Sequence, residues 1–268
     1  MRFKILLEVN RKAFGNTIPI NYQYEQSAAI YRILSKADKG YADWLHNNGF
    51  KLENGKKFKL FSFSRFKIEK RQIQAQDERI SILCDSIEWQ ISFLPEESTE
   101  KFIQGLFTNQ VFEIGDKTSV VQFQVKEVEV LPPPEFTTEM LFATMSPMCL
   151  REKREDGSTR YLSPTDPLAP KAILSGLVNR YESFYSKPYT EALNFDFTVI
   201  NVPKSVLVKI KSGTKEQTKV RGYMCQFRIK APIELIKVMY ESGIGEECSQ
   251  GFGYVKSIKS PQPEMIEG

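Results

Sequence analysis

The chain carries a single histidine, His46. Imidazole is the side chain whose ordinary pKa, near about 6.5, lets it exchange protons around neutral pH without help from its surroundings. His46 closes the run Trp44-Leu45-His46, directly before the breaker Asn47-Asn48-Gly49. A second segment with chemical potential is Gly243-Ile244-Gly245, five residues, then Gly251-Phe252-Gly253. Bare backbone at Gly243, Gly245, Gly251 and Gly253 can take positive φ angles and approach a phosphate or another backbone closely. The segment follows a helical pattern and precedes a strand, with no Gly-Lys-Ser/Thr, which disfavours a dinucleotide or P-loop site. Anion contact and tight packing both stay open. Cys84, Cys149, Cys225 and Cys248 form no C-x-x-C pair, so they read as small core or semi-exposed residues rather than a zinc or disulfide framework. No H-x-H or D-x-D pattern offers a metal site.

These residues sit in a chain of ordinary globular balance, 41% hydrophobic and 26% charged. The net charge of +4, from 37 Lys and Arg against 33 Asp and Glu, leaves room for a locally basic face that attracts a polyanion. No apolar run approaches the roughly 18 residues of a membrane span, and the opening Met-Arg-Phe-Lys is too charged for a signal peptide, so a cytoplasmic protein is expected.

The 268 residues predict two domains. Arg2–Val9 reads as an opening strand, followed by a helix from about Glu25 to Lys39-Gly40 and a short helical piece that delivers His46. Strands are expected at Lys59–Phe66, Arg79–Cys84, Glu88–Leu94 and Val120–Val130, with a helix at Ser98–Phe107. Pro132-Pro133-Pro134 cannot continue a sheet interior and marks a boundary between 1–131 and 135–268. The second half repeats the order: strand Met140–Met145, a helix from Pro170 through Tyr185, strands Leu193–Ile200, Val206–Lys211 and Lys219–Lys230, helix Pro232–Ser242 and strand Tyr254–Ile258. The expectation is an α+β protein of two tandem ferredoxin-like (RRM-like) β-α-β-β-α-β domains. Such domains leave one sheet face free, and RNA-recognition modules use that face.

The glycine-rich segment resembles the signature loop of the repeat-associated RNA-binding superfamily of CRISPR systems. The first half resembles its repeat-processing endoribonucleases, through Met1-Arg2-Phe3-Lys4-Ile5, the helical Tyr31, His46, and Lys59-Leu60-Phe61-Ser62-Phe63-Ser64 as K-x-F-x-F-S. The resemblance implies cleavage of precursor CRISPR RNA within the repeat by the upstream 2′-hydroxyl, giving a 2′,3′-cyclic phosphate or 3′-phosphate and a 5′-hydroxyl. It implies no cofactor and no metal, because the nucleophile belongs to the RNA.

On that basis His46 transfers a proton as either acid or base, Tyr31 shares the proton traffic or bonds the sugar, and Lys59 stabilises phosphorane charge, with Lys56 or Lys57 as substitutes. Lys209, Lys211, Lys215, Lys219 and Arg221 surround a turn at Ser212-Gly213 and are expected, with the four glycines, to bind RNA; Lys209 and Lys211 should share a strand face. Partners are the repeat RNA and, beyond it, a CRISPR effector complex, for a monomer or homodimer. A catalytically inactive RNA-binding subunit of such a complex is the alternative. A two-RRM chaperone lacks its aromatic consensus here.

Overall fold

Alternation along the opening strand, β1 (Arg2–Val9), buries Phe3, Ile5, Leu7 and Val9 on one face. In the computed structural model, which describes residues 1–261, that face is covered by α1 (Gln23–Ala37) and α3 (Glu96–Thr108), whose Ile30, Ile33, Leu34, Phe102 and Leu106 complete the first core. Between them α2 (Lys39–Asn47) is started by Asp38, whose carboxylate accepts from the Tyr41 amide at 2.9 Å. The sheet is antiparallel, ordered β2 (Phe61–Phe63), β3 (Ser86–Phe93), β1, β5 (Val120–Leu131), with β4 (Val111–Gly115) added at the edge.

The second half uses the same wiring. Strands β6 (Glu139–Thr144), β7 (Asp196–Val199), β8 (Gln226–Lys230) and β9 (Val255–Ile258) order as β7-β8-β6-β9, with α4 (Ala169–Tyr185) and α5 (Ile233–Ser242) closing a second core around Phe142, Phe227, Leu177 and Ile236. Each sheet thus places its second strand at one edge and its first strand centrally, so the molecule is two tandem ferredoxin-like domains. Residues 262–268 of the expected second domain lie outside the described residues. No helix among the described residues is long and apolar enough to cross a membrane.

Several expected elements differ in extent. Lys219–Lys230 is two strands, Thr218–Met224 and β8, because at Cys225 the chain crosses from a hairpin into the main sheet; there its amide donates to Thr144 Oγ1 at 2.9 Å and its carbonyl accepts from the Thr144 amide at 3.0 Å. Of Lys59–Phe66 only Phe61–Phe63 is strand, since Leu60 turns the backbone with a φ of 54°. Lys211 lies in the turn after the strand Lys204–Ile210, at a φ of 53°, and does not share the strand face of Lys209. The polar stretch before Lys59 folds into a small hairpin pairing Phe50–Lys51 with Lys57–Phe58.

The halves are joined by Arg2, only 3% exposed. Its guanidinium lies 3.4 Å from the Tyr240 ring centroid and 4.3 Å from that of Tyr254, and donates to the carbonyls of Tyr240 and Val255. Cation–π attraction and charge-assisted bonds offset its desolvation. Nearby, Ser92 Oγ donates to the Glu241 carbonyl at 2.7 Å and Tyr254 Oη to Gln90 Oε1 at 3.2 Å. Replacing Arg2 by Ala strands these buried carbonyls and is expected to remove about 3 kcal/mol of stability. Urea unfolding should show a lower midpoint, and a midpoint equal to wild type would refute this assignment.

Candidate active site

His46 sits in the last turn of α2, exposed, with its ring edge-on to Tyr31 of α1 at a centroid separation of 5.0 Å. Tyr31 is held in turn by Phe61 of β2, at 5.7 Å. His46 Nδ1 lies 3.1 Å from Asn47 Oδ1. When Nδ1 carries the hydrogen and donates to that oxygen, Nε2 is the nitrogen left for an incoming group.

The carbonyls at the end of α2 lack intrahelical donors and carry the negative end of the helix dipole. Two lysines answer them. Lys59 Nζ donates to the His46 carbonyl at 2.5 Å and Lys57 Nζ to the Asn47 carbonyl at 3.0 Å. Gly49 makes this possible: at a φ of 61° it folds the hairpin back so closely that a Cβ would stand 2.4 Å from the Phe58 carbonyl oxygen. Lys56 instead lies over the Phe58 ring, its ammonium 5.5 Å from the centroid.

Burial, with the like charges of Lys57 and Lys51, lowers the Lys59 ammonium to about 8. Burial raises the Tyr31 phenol above its ordinary value, so at neutral pH it keeps its proton and can donate a hydrogen bond but not act as a phenolate base.

The glycine-rich loop lies between the halves, against Gln23 and Ser62 of the first and Cys149 of the second. Gly243, Gly245, Gly251 and Gly253 are buried at φ angles of 90°, 81°, 90° and 71°. An added Cβ would stand 2.3 Å from the Cys149 carbonyl oxygen at Gly245, 2.6 Å from Gln23 Cβ at Gly251 and 2.1 Å from the Ile244 carbonyl oxygen at Gly253; at Gly243 it would crowd Cys248 Sγ and Ser62 Cβ. The space left by the missing side chains is filled by this chain's own atoms. Ser27 Oγ of α1 donates to the Ser249 carbonyl at 2.7 Å, and Arg180 of α4 donates to the Gly245 carbonyl. The loop therefore touches both the helix that bears Tyr31 and, through Ser62, the strand that follows Lys59.

The basic hairpin Lys204–Ile210 with Thr218–Met224 is divided. Lys209 pairs with Glu78 and Lys211 with Glu216, while Lys215, Lys219 and Arg221 are exposed. The structure thus gathers Tyr31, His46 and Lys59 in one place and leaves the hairpin lysines outside that cluster. Two participants escaped sequence reasoning: Asn47, read only as part of a breaker, and Gly49, whose Asn-Asn-Gly context marks a turn but not what it brings together. All four cysteines are free, and burial pushes the Cys225 thiol up to about 12. Among the described residues no group of three or more His, Cys, Asp and Glu side chains is placed to hold a metal ion.

Tandem ferredoxin-like domains meeting across a glycine-rich loop define the class of the molecule. Within that class the chain belongs to the Cas6 family: residues 17–129 match the model for the N-terminal part of CRISPR-associated protein Cas6 and residues 131–257 the model for its C-terminal part. It is 31% identical over 260 residues to CRISPR-associated endoribonuclease Cas6 1 of Methanocaldococcus jannaschii, covering 96% of this chain and 93% of that one. It is 28% identical over 257 residues to CRISPR-associated endoribonuclease Cas6 of Pyrococcus furiosus, covering 96% and 89%. Among solved structures, a Cas6-related protein of Pyrococcus furiosus superposes with a TM-score of 0.81 at 27% identity, covering 97% of this chain and 99% of that one. An RAMP protein binding different RNA substrates superposes with a TM-score of 0.78 at 26% identity, covering 97% and 100%.

The lowered Lys59 amine is directly observable. In an NMR titration of 13C-dimethylated lysines its signal should move near pH 8, well before those of exposed lysines; titration together with the rest would contradict the half-buried environment.

Proposed function

We propose that the chain is an endoribonuclease that cuts precursor CRISPR RNA within the repeat, using the substrate's own 2′-hydroxyl as nucleophile. The observation that supports this reading above others is the meeting of the half-buried Tyr31 and Lys59 with the exposed His46, with ring and ammonium both anchored on the end of α2. Transesterification by a 2′-hydroxyl needs a proton acceptor at that oxygen, a donor at the leaving 5′-oxygen and positive charge near the phosphorane. His46 Nε2 supplies proton transfer. Tyr31, which keeps its proton, serves as a hydrogen-bond donor to a phosphate or sugar oxygen. Lys59 contributes charge, with Lys57 beside it. The bond formed is 2′-O–P and the bond broken is P–5′-O, so the products are a 2′,3′-cyclic phosphate and a 5′-hydroxyl.

In this reading the residues of 1–131 carry the chemistry, while 135–268 hold the substrate through the exposed Lys215, Lys219 and Arg221, whose phosphate contacts make binding salt-dependent. Lys209 and Lys211 join them only by exchanging their carboxylate partners for phosphate. The four glycines of the loop, packed against protein, serve the junction of the halves instead. The setting is the cytoplasm, the partner is repeat RNA, and no cofactor or metal ion enters any step.

Repeat RNA incubated with the wild-type chain in EDTA should be cut at one position in the repeat with a 5′-hydroxyl on the downstream fragment. His46→Ala should bind as well and cut about a hundred- to ten-thousandfold more slowly. Binding without cutting by the wild-type chain would favour a catalytically inactive RNA-binding subunit, and loss of cutting on chelation would contradict the metal-free chemistry.

A further inference from the structure

Two residues before His46, a run of aromatic rings begins that the catalytic reading leaves unused. Trp44 meets Phe50 edge to face at 5.4 Å, and Phe50 crosses to the second half to meet Phe184 at 5.8 Å. Phe184 stands 4.9 Å from Tyr185, which lies 4.5 Å from Tyr181. Packing accounts for the inner rings, since Phe50, Tyr181 and Phe184 rest on Leu60, Leu94 and Val238. It does not account for the ends. Trp44 is 38% exposed and Tyr185 47% exposed, although this chain buries Trp89, Tyr254 and Phe61 completely.

Positive charge borders the same strip. Ser186 ends α4 in the left-handed conformation and turns the chain so that the Lys187 ammonium lies 5.8 Å over Tyr181 and 5.7 Å over Tyr185. At the other end, Lys51 and Lys57 are cross-strand partners on the hairpin that carries Phe50, and both are exposed. Accessible rings bordered by lysines suit single-stranded nucleic acid: every base has a π-face to stack, and each phosphate between bases needs a cation. A duplex would offer this strip only its backbone, because paired bases are stacked on each other.

We propose that the strip from Trp44 to Tyr185 is a stacking platform for unpaired nucleobases of the RNA beside the scissile phosphodiester, with Lys51 and Lys187 on the intervening phosphates. This rests on the reading of the chain as an RNA-cutting enzyme and adds to it the form of the substrate: unpaired where it leaves His46 toward α4. It also gives the hairpin 50–58 a second task, since the hairpin that carries Lys57 and leads into Lys59 then presents Phe50 to the same strand.

The test measures the affinity of the whole chain for a repeat RNA made uncleavable by 2′-deoxy substitution at the cut. Tyr185→Leu and Trp44→Leu, which keep apolar bulk at exposed positions, should each weaken binding about tenfold, and Tyr185→Phe, which keeps the ring, should restore it. On the RNA side, abasic nucleotides placed one at a time around the cut should weaken wild-type binding at one to three adjacent positions, and this loss should shrink in Tyr185→Leu. Leucine variants that bind like wild type, or an abasic profile that the variants leave unchanged, would overturn the platform. Failure of the wild-type chain to cut unmodified repeat RNA would instead overturn the enzymatic reading, and the affinities would still decide whether the strip stacks bases.

Discussion

The arrangement depends on how closely one bare backbone can lie against another. The glycine-rich loop enters a space in which its neighbours leave no room for a Cβ: the Cys149 carbonyl faces Gly245, the Ile244 carbonyl faces Gly253 and Gln23 of α1 faces Gly251. Gln23 begins the helix that bears Tyr31, and Ser62, against Gly243, lies on the strand just after Lys59, so the loop of the second domain packs against the two elements that lead to these candidate site residues in the first. Arg2 fastens the same junction from the other side. The three candidate side chains come from one domain, and the elements that carry two of them pack against the other.

Within that frame the site is organised around a helix end. The terminal carbonyls of α2 draw in Lys57 and Lys59, which ties the ammonium groups to the residue that carries the imidazole. The price is partial burial of Lys59, which lowers its amine toward the range in which it loses charge. The same burial has the opposite consequence for Tyr31, which holds its proton. Desolvation thus disfavours the charged form of both groups: the Tyr31 phenol stays protonated and neutral, and the Lys59 ammonium is brought closer to losing its charge.

Much of this was legible in the residues. Strands and helices with a strong apolar period, such as β1, α1, α3, α4 and α5, fall close to their expected spans, and their order was sufficient for two ferredoxin-like units. What escaped was set by contacts distant in sequence. The break at Cys225 depends on Thr144 of another strand, so the alternation from Lys219 to Lys230 reads as continuous. The loss of strand at Lys59 follows from the left-handed Leu60, a conformation that a leucine does not announce. The Lys209–Glu78 pair joins residues in different halves, and a count of lysines on a hairpin cannot show that one of them is already engaged. The glycines were conspicuous, and two uses were open to them; the structure shows what lies against each one, which is protein.

If the RNA supplies its own nucleophile, the ribose 5′ to the scissile phosphate decides whether the bond is cut. The most direct measurement compares single-turnover cleavage of two repeat RNAs that differ only in the ribose 5′ to the scissile phosphate. With a 2′-hydroxyl there the chain should cut at one site; with a 2′-deoxyribose it should bind the RNA and leave that bond intact. Cleavage of the deoxy-substituted RNA at the same bond would contradict the account, because the attacking oxygen would then have to come from elsewhere.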